Sequence, residues 1–363
     1  MLKIWLAVKN RIFNLFNKKI VKICKSNNVN NSITNIFDYN TVILNRLDQT
    51  DSLYYGSKLY GFQYGLKRYS GYCGIINASI EHGPNLDSEE GGEYLEKNRP
   101  ALIVQSNQRK KFIEKMNLGR PVFAVGSQIY YANSIFREYD LDIVKKNLGK
   151  TLLIYPLHDI EDFHYIQNVE KFIEFVKKIK GEHDYQTVLV SMYFVDIERG
   201  RHIRFQQEGW TILSAGRRTN YDFADMMKTI ISMSDFAIFQ AYTSAIGFCT
   251  YMGVPSMIYH QPFLFSENGK EELQTFMGIK DSMMTSLESV FADYCEEITK
   301  EKYDFANYWF GFEETLKADD LNLLFQFLDE LRVGMSKNRM ISIANKKKYL
   351  SIKNYLMDSL NKV

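Results

Sequence analysis

The sharpest chemical candidate in this sequence is the run Glu81-His82-Gly83-Pro84, which directly follows an apolar segment typical of a strand. An imidazole that titrates near neutral pH suits a general base that takes the proton of a hydroxyl. Gly83 lets the backbone turn sharply beside it. We therefore predict His82 or Glu81 as a catalytic base, with Glu81 alternatively orienting the imidazole. A purely structural histidine in a turn is the competing interpretation.

An acid-rich loop continues behind this run, and its residues Asp87 and Glu93 are candidates for binding an acceptor. Carboxylates accept hydrogen bonds from the hydroxyl groups of such a molecule. The competing interpretation is a solvated loop.

Polar side chains also end the predicted strands of the second half of the chain. The candidates for binding a donor are Tyr155, His158, Ser191, Ser214, Arg217, Arg218, Thr243 and Ser244. The guanidinium group of arginine can form bidentate hydrogen bonds with a diphosphate, and the free N–H groups at a helix amino terminus can bind a phosphate. For Thr243 and Ser244, which precede a helical pattern, the competing interpretation is an ordinary helix cap.

Several familiar sites are missing from the sequence. It has no GxGxxG, GxxxxGK[ST], GxSxG or HExxH pattern, and its histidines lack metal-ligand spacing. Asp140-Leu141-Asp142 has the DxD spacing of metal-dependent sugar transferases, but it precedes an amphipathic helix, so a helix cap is favoured. The four cysteines are far apart and fit a reducing cytoplasm. We expect neither a metal nor a cofactor.

Short apolar runs alternate with helical patterns, which predicts parallel sheets. The predicted strands are Thr41–Leu47, Cys73–Ile80, Ala101–Gln105, Val122–Val125, Thr151–Tyr155, Thr187–Tyr193, Thr211–Ser214, Phe236–Phe239 and Ser256–Tyr259. The predicted helices between them are Gln108–Met116, Val169–Lys180, Ile197–Gln207, Asp222–Met233 and Ser244–Met252. From Glu271 onward the pattern is almost entirely helical. Because ligands bind beyond the carboxyl ends of such strands, the candidate residues should meet there.

The predicted fold class is α/β, with two Rossmann-like domains facing a cleft and a helical carboxyl-terminal tail. The expected units are a basic amphipathic helix (1–26), a first Rossmann-like domain (38–148), a second Rossmann-like domain (149–335) and a basic helix (336–363).

Charge is distributed unevenly along the 363 residues. The formal net charge is +2, yet residues 1–25 carry seven basic side chains and no acid, and residues 332–363 carry eight basic side chains and one acid. The body between these ends is therefore acidic. A nucleic-acid binder would more often carry its basic groups across the body, so that class is disfavoured.

The first 25 residues form an amphipathic helical pattern. Its apolar face consists of Trp5, Val8, Ile12, Phe16, Ile20 and Ile23, with most of the basic side chains opposite and Lys9 and Lys19 on the apolar side. Such a helix suits the surface of an anionic membrane, and the alternative is a helix packed on the body. No apolar run is long enough for a membrane span or a signal peptide, so we expect a cytoplasmic protein on the inner face of the plasma membrane.

Four stretches resemble bacterial glycosyltransferases of surface polysaccharide synthesis, the GT-B enzymes of capsule and lipopolysaccharide assembly. The stretches are Glu81–Pro84, Pro121–Ala132, Leu153–His158, and Tyr242–Ala245 running to Gly253-Val254-Pro255. The resemblance covers roughly residues 75–261.

The resemblance implies an acceptor-binding first domain that supplies the base, and a second domain that binds a nucleotide sugar without a metal. It also implies a lipid-linked acceptor. Retaining members commonly carry two glutamates eight positions apart, where this chain has Gln240 and Phe248, so inversion is favoured. A sugar-nucleotide epimerase and a non-catalytic polysaccharide-assembly subunit remain alternatives. The donor stays open among CMP-, UDP-, GDP- and TDP-sugars and a CDP-polyol.

Removal of residues 1–25 should release the protein from anionic vesicles without unfolding it. The physical reason is that apolar burial and basic charge both contribute to surface binding. Vesicle co-sedimentation, with a melting curve for each variant, measures the effect. Unchanged binding to the vesicles would contradict a membrane role for this segment.

Overall fold

A computed structural model describes residues 36–44, 59–84, 86, 99–136, 138–159, 163–166, 168–259, 264–267, 270–273, 286–287 and 289–337. The predicted basic helices at 1–26 and 336–363 therefore lie outside the described residues, apart from residues 336–337, and so do Asp87 and Glu93.

The first domain is built on a small parallel sheet. Its strands, in spatial order, are β1 (Ser79–Ile80), β2 (Leu102–Val104) and β3 (Val122–Ala124). The helices of this part of the chain are α1 (Tyr39–Leu44), α2 (Phe62–Ser70), α3 (Asn107–Lys115) and α4 (Glu138–Leu148). The strands are buried on both faces, as expected for a parallel sheet covered by helices.

The second domain contains a five-stranded parallel sheet. Its strands are β4 (Thr151–Tyr155), β6 (Thr187–Ser191), β7 (Thr211–Leu213), β8 (Phe236–Phe239) and β9 (Ser256–Ile258). The spatial order β7-β6-β4-β8-β9 reverses direction beside β4, which is the Rossmann arrangement. The connecting helices are α5 (Val169–Glu182), α6 (Phe194–Glu198), α7 (His202–Gln206), α8 (Phe223–Ser232) and α9 (Ala245–Tyr251). The predicted class, α/β with two Rossmann-like domains facing a cleft, is confirmed.

Three further strands form an antiparallel sheet that is not among the predicted elements. These strands are β5 (Phe163–Ile166), β10 (Leu264–Glu267) and β11 (Lys270–Leu273), in the order β11-β10-β5. The expectation that the chain is helical from Glu271 is therefore wrong at its start. Asn268-Gly269, a favoured hairpin turn, was the sequence signal for this pairing. Helices follow later, at α10 (Lys300–Phe310) and α11 (Ala318–Lys337).

The predicted strand Thr41–Leu47 is wrong, because residues 39–44 form helix α1. Val42 and Ile43 are buried, and the Tyr39 ring lies 5.2 Å from that of His202 in the second domain. Thr41, Val42 and Ile43 are β-branched and favour a strand locally, but packing of one helical face overrides that preference.

Two other predicted elements are shorter than expected. Of Cys73–Ile80 only the last two residues form a strand, because Asn77 upstream donates to Asp329 of α11 at 2.6 Å and accepts from Arg332 at 2.7 Å. The predicted helix Ile197–Gln207 is interrupted at Gly200, whose φ of 76° lies in the left-handed region.

Helix α11 returns from the second domain and packs on the first, although the sequence reading placed it in the second. Tyr72 donates to Asp329 at 2.5 Å, and the Phe123 and Phe327 rings meet edge to face at 6.0 Å. One buried apolar cluster accordingly contains Ile103 of the first sheet, Phe239 of the second and Leu328 of α11. The two domains thus share a core.

Helix α8 ties the second domain to the first. Arg68 of α2 holds Asp225 of α8 through two hydrogen bonds of 2.7 Å. Lys228 of α8 inserts into the first domain and donates to main-chain carbonyls, and burial lowers the pKa of its ammonium. The carbonyls belong to Ile129 at 3.2 Å, Tyr130 at 3.5 Å and Ala132 at 2.7 Å. Separation of the two domains would therefore break these hydrogen bonds, and their donors and acceptors would have to bind water instead.

Within the part of the chain that the structure describes, no helix is long and apolar enough to cross a membrane.

Lys228→Met should lower the free energy of unfolding by about 1–3 kcal/mol, because buried carbonyls lose their donor. Urea denaturation measures this change. Lys300→Met is the control. The Lys300 side chain is 87% exposed, and its described ion pair is with Asp304, one helical turn away. Equal stability of the two variants would contradict a clamping role for Lys228.

Candidate functional site

A cleft of about 840 Å³, partly open to solvent, lies between the two domains at the carboxyl ends of their parallel strands. The predicted residues that line it are His82, Tyr155, His158, Ser191, Thr243 and Ser244. Most other lining side chains are apolar or aromatic, and the described lining residues include no Lys, Arg, Asp or Glu.

His82 stands immediately after β1 and forms part of the first-domain wall. Its imidazole stacks on the Tyr60 ring, with centroids 5.5 Å apart and planes inclined by 24°. Phe223, at the start of α8, packs edge to face against the same Tyr60 ring, with centroids 5.0 Å apart. His82 is thus held at the cleft by an aromatic group that spans both domains.

Glu81 points away from the cleft lining and pairs with Arg109 of α3. Its Oε1 lies 2.7 Å from Nη2 and accepts from Nε at 2.9 Å, with side chains 1% and 0% exposed. Arg109 also donates to the Leu86 carbonyl beyond the turn. A buried charge that loses its partner is costly, so this pair fixes the backbone around His82. Glu81 itself does not line the cleft.

Tyr155 and Ser191 contribute the floor of the second-domain wall. The Tyr155 ring stacks on Phe239 at 4.6 Å with an angle of 6°, and burial raises the pKa of its phenol. Both residues end central strands of the sheet. They therefore offer hydroxyl groups at the carboxyl edge where ligands bind in this type of sheet.

His158 lies at the rim, above a buried network of charges. Its Nδ1 is 3.1 Å from the Asp159 carbonyl oxygen, and its ring tilts against Tyr193 at 5.2 Å. The fully buried Asp159 carboxylate accepts from Arg199 at 2.5 Å and lies 2.9 Å from Arg201. These arginines hold the rim in place from below.

Asp196 belongs to the same network. It accepts the Asp159 N–H at 3.2 Å, and Arg201 lies 3.5 Å away. Burial raises the pKa of its carboxyl to about 6, and the charges of His158 and Arg201 partly oppose this rise. The carboxyl therefore changes charge within the range in which histidines titrate.

Thr243 and Ser244 bring the second domain into direct contact with the first. Thr243 Oγ1 accepts the N–H of Ala245 at 3.0 Å, which is a turn-stabilising role at the start of α9. Ser244 makes no such capping bond, and a Cβ built on Gly83 would overlap its hydroxyl. Tyr242 donates to the Pro84 carbonyl at 2.9 Å. The turn after β1 and the start of α9 therefore close one side of the cleft.

Ser214, Arg217 and Arg218 do not line the cleft. Ser214 is buried and accepts the N–H of Gly216 at 3.0 Å. Arg217 pairs with Glu198 and lies 4.1 Å from the centre of the Phe194 ring. The expected diphosphate clamp is thus not formed by these arginines, because Gly216, at φ 85°, turns the chain away after β7.

The aromatic lining was not foreseen from the sequence. The unforeseen rings belong to Tyr60, Phe62, Phe223 and Phe248. Nothing in residue type or spacing separates these rings from core aromatics. For metals, no group of three or more His, Cys, Asp or Glu side chains that could hold an ion occurs within the described ranges.

Asp140-Leu141-Asp142 lies within the first turns of α4, with Asp140 in the acidic first turn, as expected for residues that start a helix.

No protein-family model matches the chain, and no curated protein matches it. Among solved structures, the wall teichoic acid polymerase TagF is 15% identical with a TM-score of 0.35, over 78% of this chain and 69% of that one. The α,α-trehalose 6-phosphate synthase from Burkholderia multivorans is 12% identical with a TM-score of 0.30, over 68% of this chain and 62% of that one. At this level of similarity neither protein bears on the function of this chain.

Gly83→Ala should destabilise the protein by about 1 kcal/mol, because the Ser244 hydroxyl must leave its rotamer or the domains must part. Adding Ser244→Ala should recover part of the stability, since it removes the overlapping hydroxyl and leaves the tight contact of 3.3 Å between the two Cβ atoms. Gly181→Ala, inside α5 with nothing within 4 Å, is a control that should stabilise. Thermal unfolding measures all three variants. A double variant no more stable than Gly83→Ala would contradict the contact.

Proposed function

We propose that the chain is a glycosyltransferase that moves a sugar from a nucleotide-activated donor to a hydroxyl of a saccharide acceptor. The observation that carries this proposal is the convergence of six sequence-predicted residues on one cleft between two Rossmann-like domains. His82 comes from the first domain, and the other five residues come from the second. The arrangement therefore provides separate walls for an acceptor and a donor.

His82 acts as the base in this proposal. It accepts the proton of the acceptor hydroxyl while the acceptor oxygen attacks the anomeric carbon, and the bond from that carbon to the phosphate oxygen breaks. The electron pair of that bond stays on the departing nucleotide phosphate. Attack opposite the leaving group inverts the anomeric centre.

The departing phosphate faces hydroxyl and imidazole donors on the second-domain wall. Ser191, Thr243, Ser244 and His158 line that wall. Donors held in place before the reaction stabilise developing charge without reorganisation. Gln240, one of the positions at which retaining relatives commonly carry a glutamate, is 2% exposed and accepts the Leu157 N–H at 3.1 Å. This structural use of its side chain supports inversion.

The setting of the reaction is a further part of the proposal. A lipid-linked acceptor, in capsule or lipopolysaccharide synthesis, would require the enzyme to rest on the inner face of the plasma membrane. The basic apolar pattern of residues 1–25 supports this placement. Asp87 and Glu93 are proposed to contact the acceptor.

His82→Gln should lower the rate of transfer or donor hydrolysis by about 10²–10⁴-fold, because the base is lost. Glu81→Gln should also lose activity, through the pairing with Arg109. Both variants should retain nucleotide binding, measured as a thermal shift with UDP-glucose, GDP-mannose, TDP-glucose, CMP-N-acetylneuraminate and CDP-glycerol.

His183→Gln is the matched control, since His183 stacks on Tyr294 at 3.8 Å and does not line the cleft. Full activity in both the His82 and Glu81 variants would contradict the assignment. If the protein releases nucleotide from none of the five donors, the result would favour a non-catalytic subunit. If it isomerises a donor in the absence of an acceptor, the result would favour an epimerase.

A further inference from the structure

Tyr60 has a backbone conformation that is unfavourable for a residue with a side chain. Its φ of 57° and ψ of 17° lie in the left-handed region, where glycine and asparagine are the usual residues. Such outliers persist where the surrounding structure enforces them, and they cluster at functional sites. A tyrosine at this position therefore calls for a reason in its side chain.

The second domain enforces this conformation. The Tyr60 N–H donates to the Arg218 carbonyl at 2.5 Å. A Cβ on the next residue, Gly61, would lie 2.5 Å from the Tyr221 carbonyl oxygen, so the chain passes directly over the backbone of the second domain. The segment before α2 is thereby anchored to the loop that leads into α8.

The side chain of Tyr60 projects back to the first domain. Its ring stacks on His82 and meets Phe223 edge to face, as described above. The chain of contacts runs from the Arg218 carbonyl through Tyr60 to the imidazole. The Tyr60 ring therefore links the His82 imidazole to the second domain.

We propose that Tyr60 is a positioning residue, whose ring holds the His82 imidazole in register with the donor wall. The inference rests on the proposed function, because His82 is the base there. It accounts for a strained tyrosine where asparagine would fit more easily. It also gives Arg218 a role through its main chain in place of a phosphate contact.

Two variants separate the ring from the backbone. Tyr60→Asn removes the ring but tolerates the left-handed conformation, so we expect it to fold. Its kcat for donor hydrolysis, with water in place of the acceptor, should fall about 100-fold, as expected for a misplaced reacting group, with little change in KM. Tyr60→Phe keeps the ring and should stay close to the wild type.

Tyr64→Leu is the control for the loss of a buried aromatic group. Tyr64 packs on Tyr221 at 5.9 Å and does not line the cleft, so its variant should keep its kcat even if its melting temperature falls. Positioning by the Tyr60 ring is overturned by a Tyr60→Asn variant with wild-type kcat. It is also overturned by a Tyr60→Phe variant as slow as Tyr60→Asn, since the hydroxyl would then be the acting group.

A chemical readout tests the contact without any transferase activity. Diethyl pyrocarbonate acylates accessible imidazole, and peptide mass spectrometry resolves the six histidines of the full chain. Tyr60→Asn should speed the modification of His82 several-fold relative to His183, whereas Tyr60→Phe should not. An unchanged His82 rate in Tyr60→Asn overturns the proposal, even if no donor is turned over. If the wild type is inactive with every donor while Tyr60→Asn still speeds the modification of His82, the result counts against the proposed function alone.

Discussion

The site depends on the close contact between the turn after β1 and the start of α9. Gly83 carries no side chain, and the Ser244 hydroxyl occupies the space that a Cβ would need. This contact brings the carboxyl ends of two parallel sheets within reach of one ligand. The buried Glu81–Arg109 pair supports it from the first domain, and the Tyr242 bond to Pro84 supports it from the second. Without this approach, His82 and Ser244 would belong to two separate surfaces.

The charge distribution of the cleft is unusual for a site that is proposed to bind a nucleotide. Arg217 and Arg218 leave the cleft, and Arg199 and Arg201 are engaged below its rim with Asp159. Among the described residues, histidines, hydroxyls and aromatic rings remain at the surface of the cleft. Hydrogen-bond donors in a partly dry site interact with charge more strongly than they do in water. Such a wall suits a phosphate that gains charge during the reaction.

Much of this organisation could be predicted from the sequence, because buried parallel strands are short continuous apolar runs. β4 and β8 have the predicted bounds, and His82, His158 and Thr243 line the cleft because residues that follow parallel strands lie at the carboxyl edge of the sheet. The failures have a common physical cause in contacts between distant residues. α1 became a helix by packing on the second domain, and Tyr60 could not be recognised among 24 tyrosines before its contact with His82 was known.

The central claim is that one nucleotide-activated donor binds between the two domains. Hydrogen–deuterium exchange of the full chain, with and without a saturating nucleotide sugar, tests it most directly, because both walls should be ordered by one ligand. The account predicts slower exchange at Glu81–Gly83 in the first domain and at Thr243–Ala245 in the second, at the same ligand concentration. Slower exchange in only one of these segments, or in neither, would contradict it.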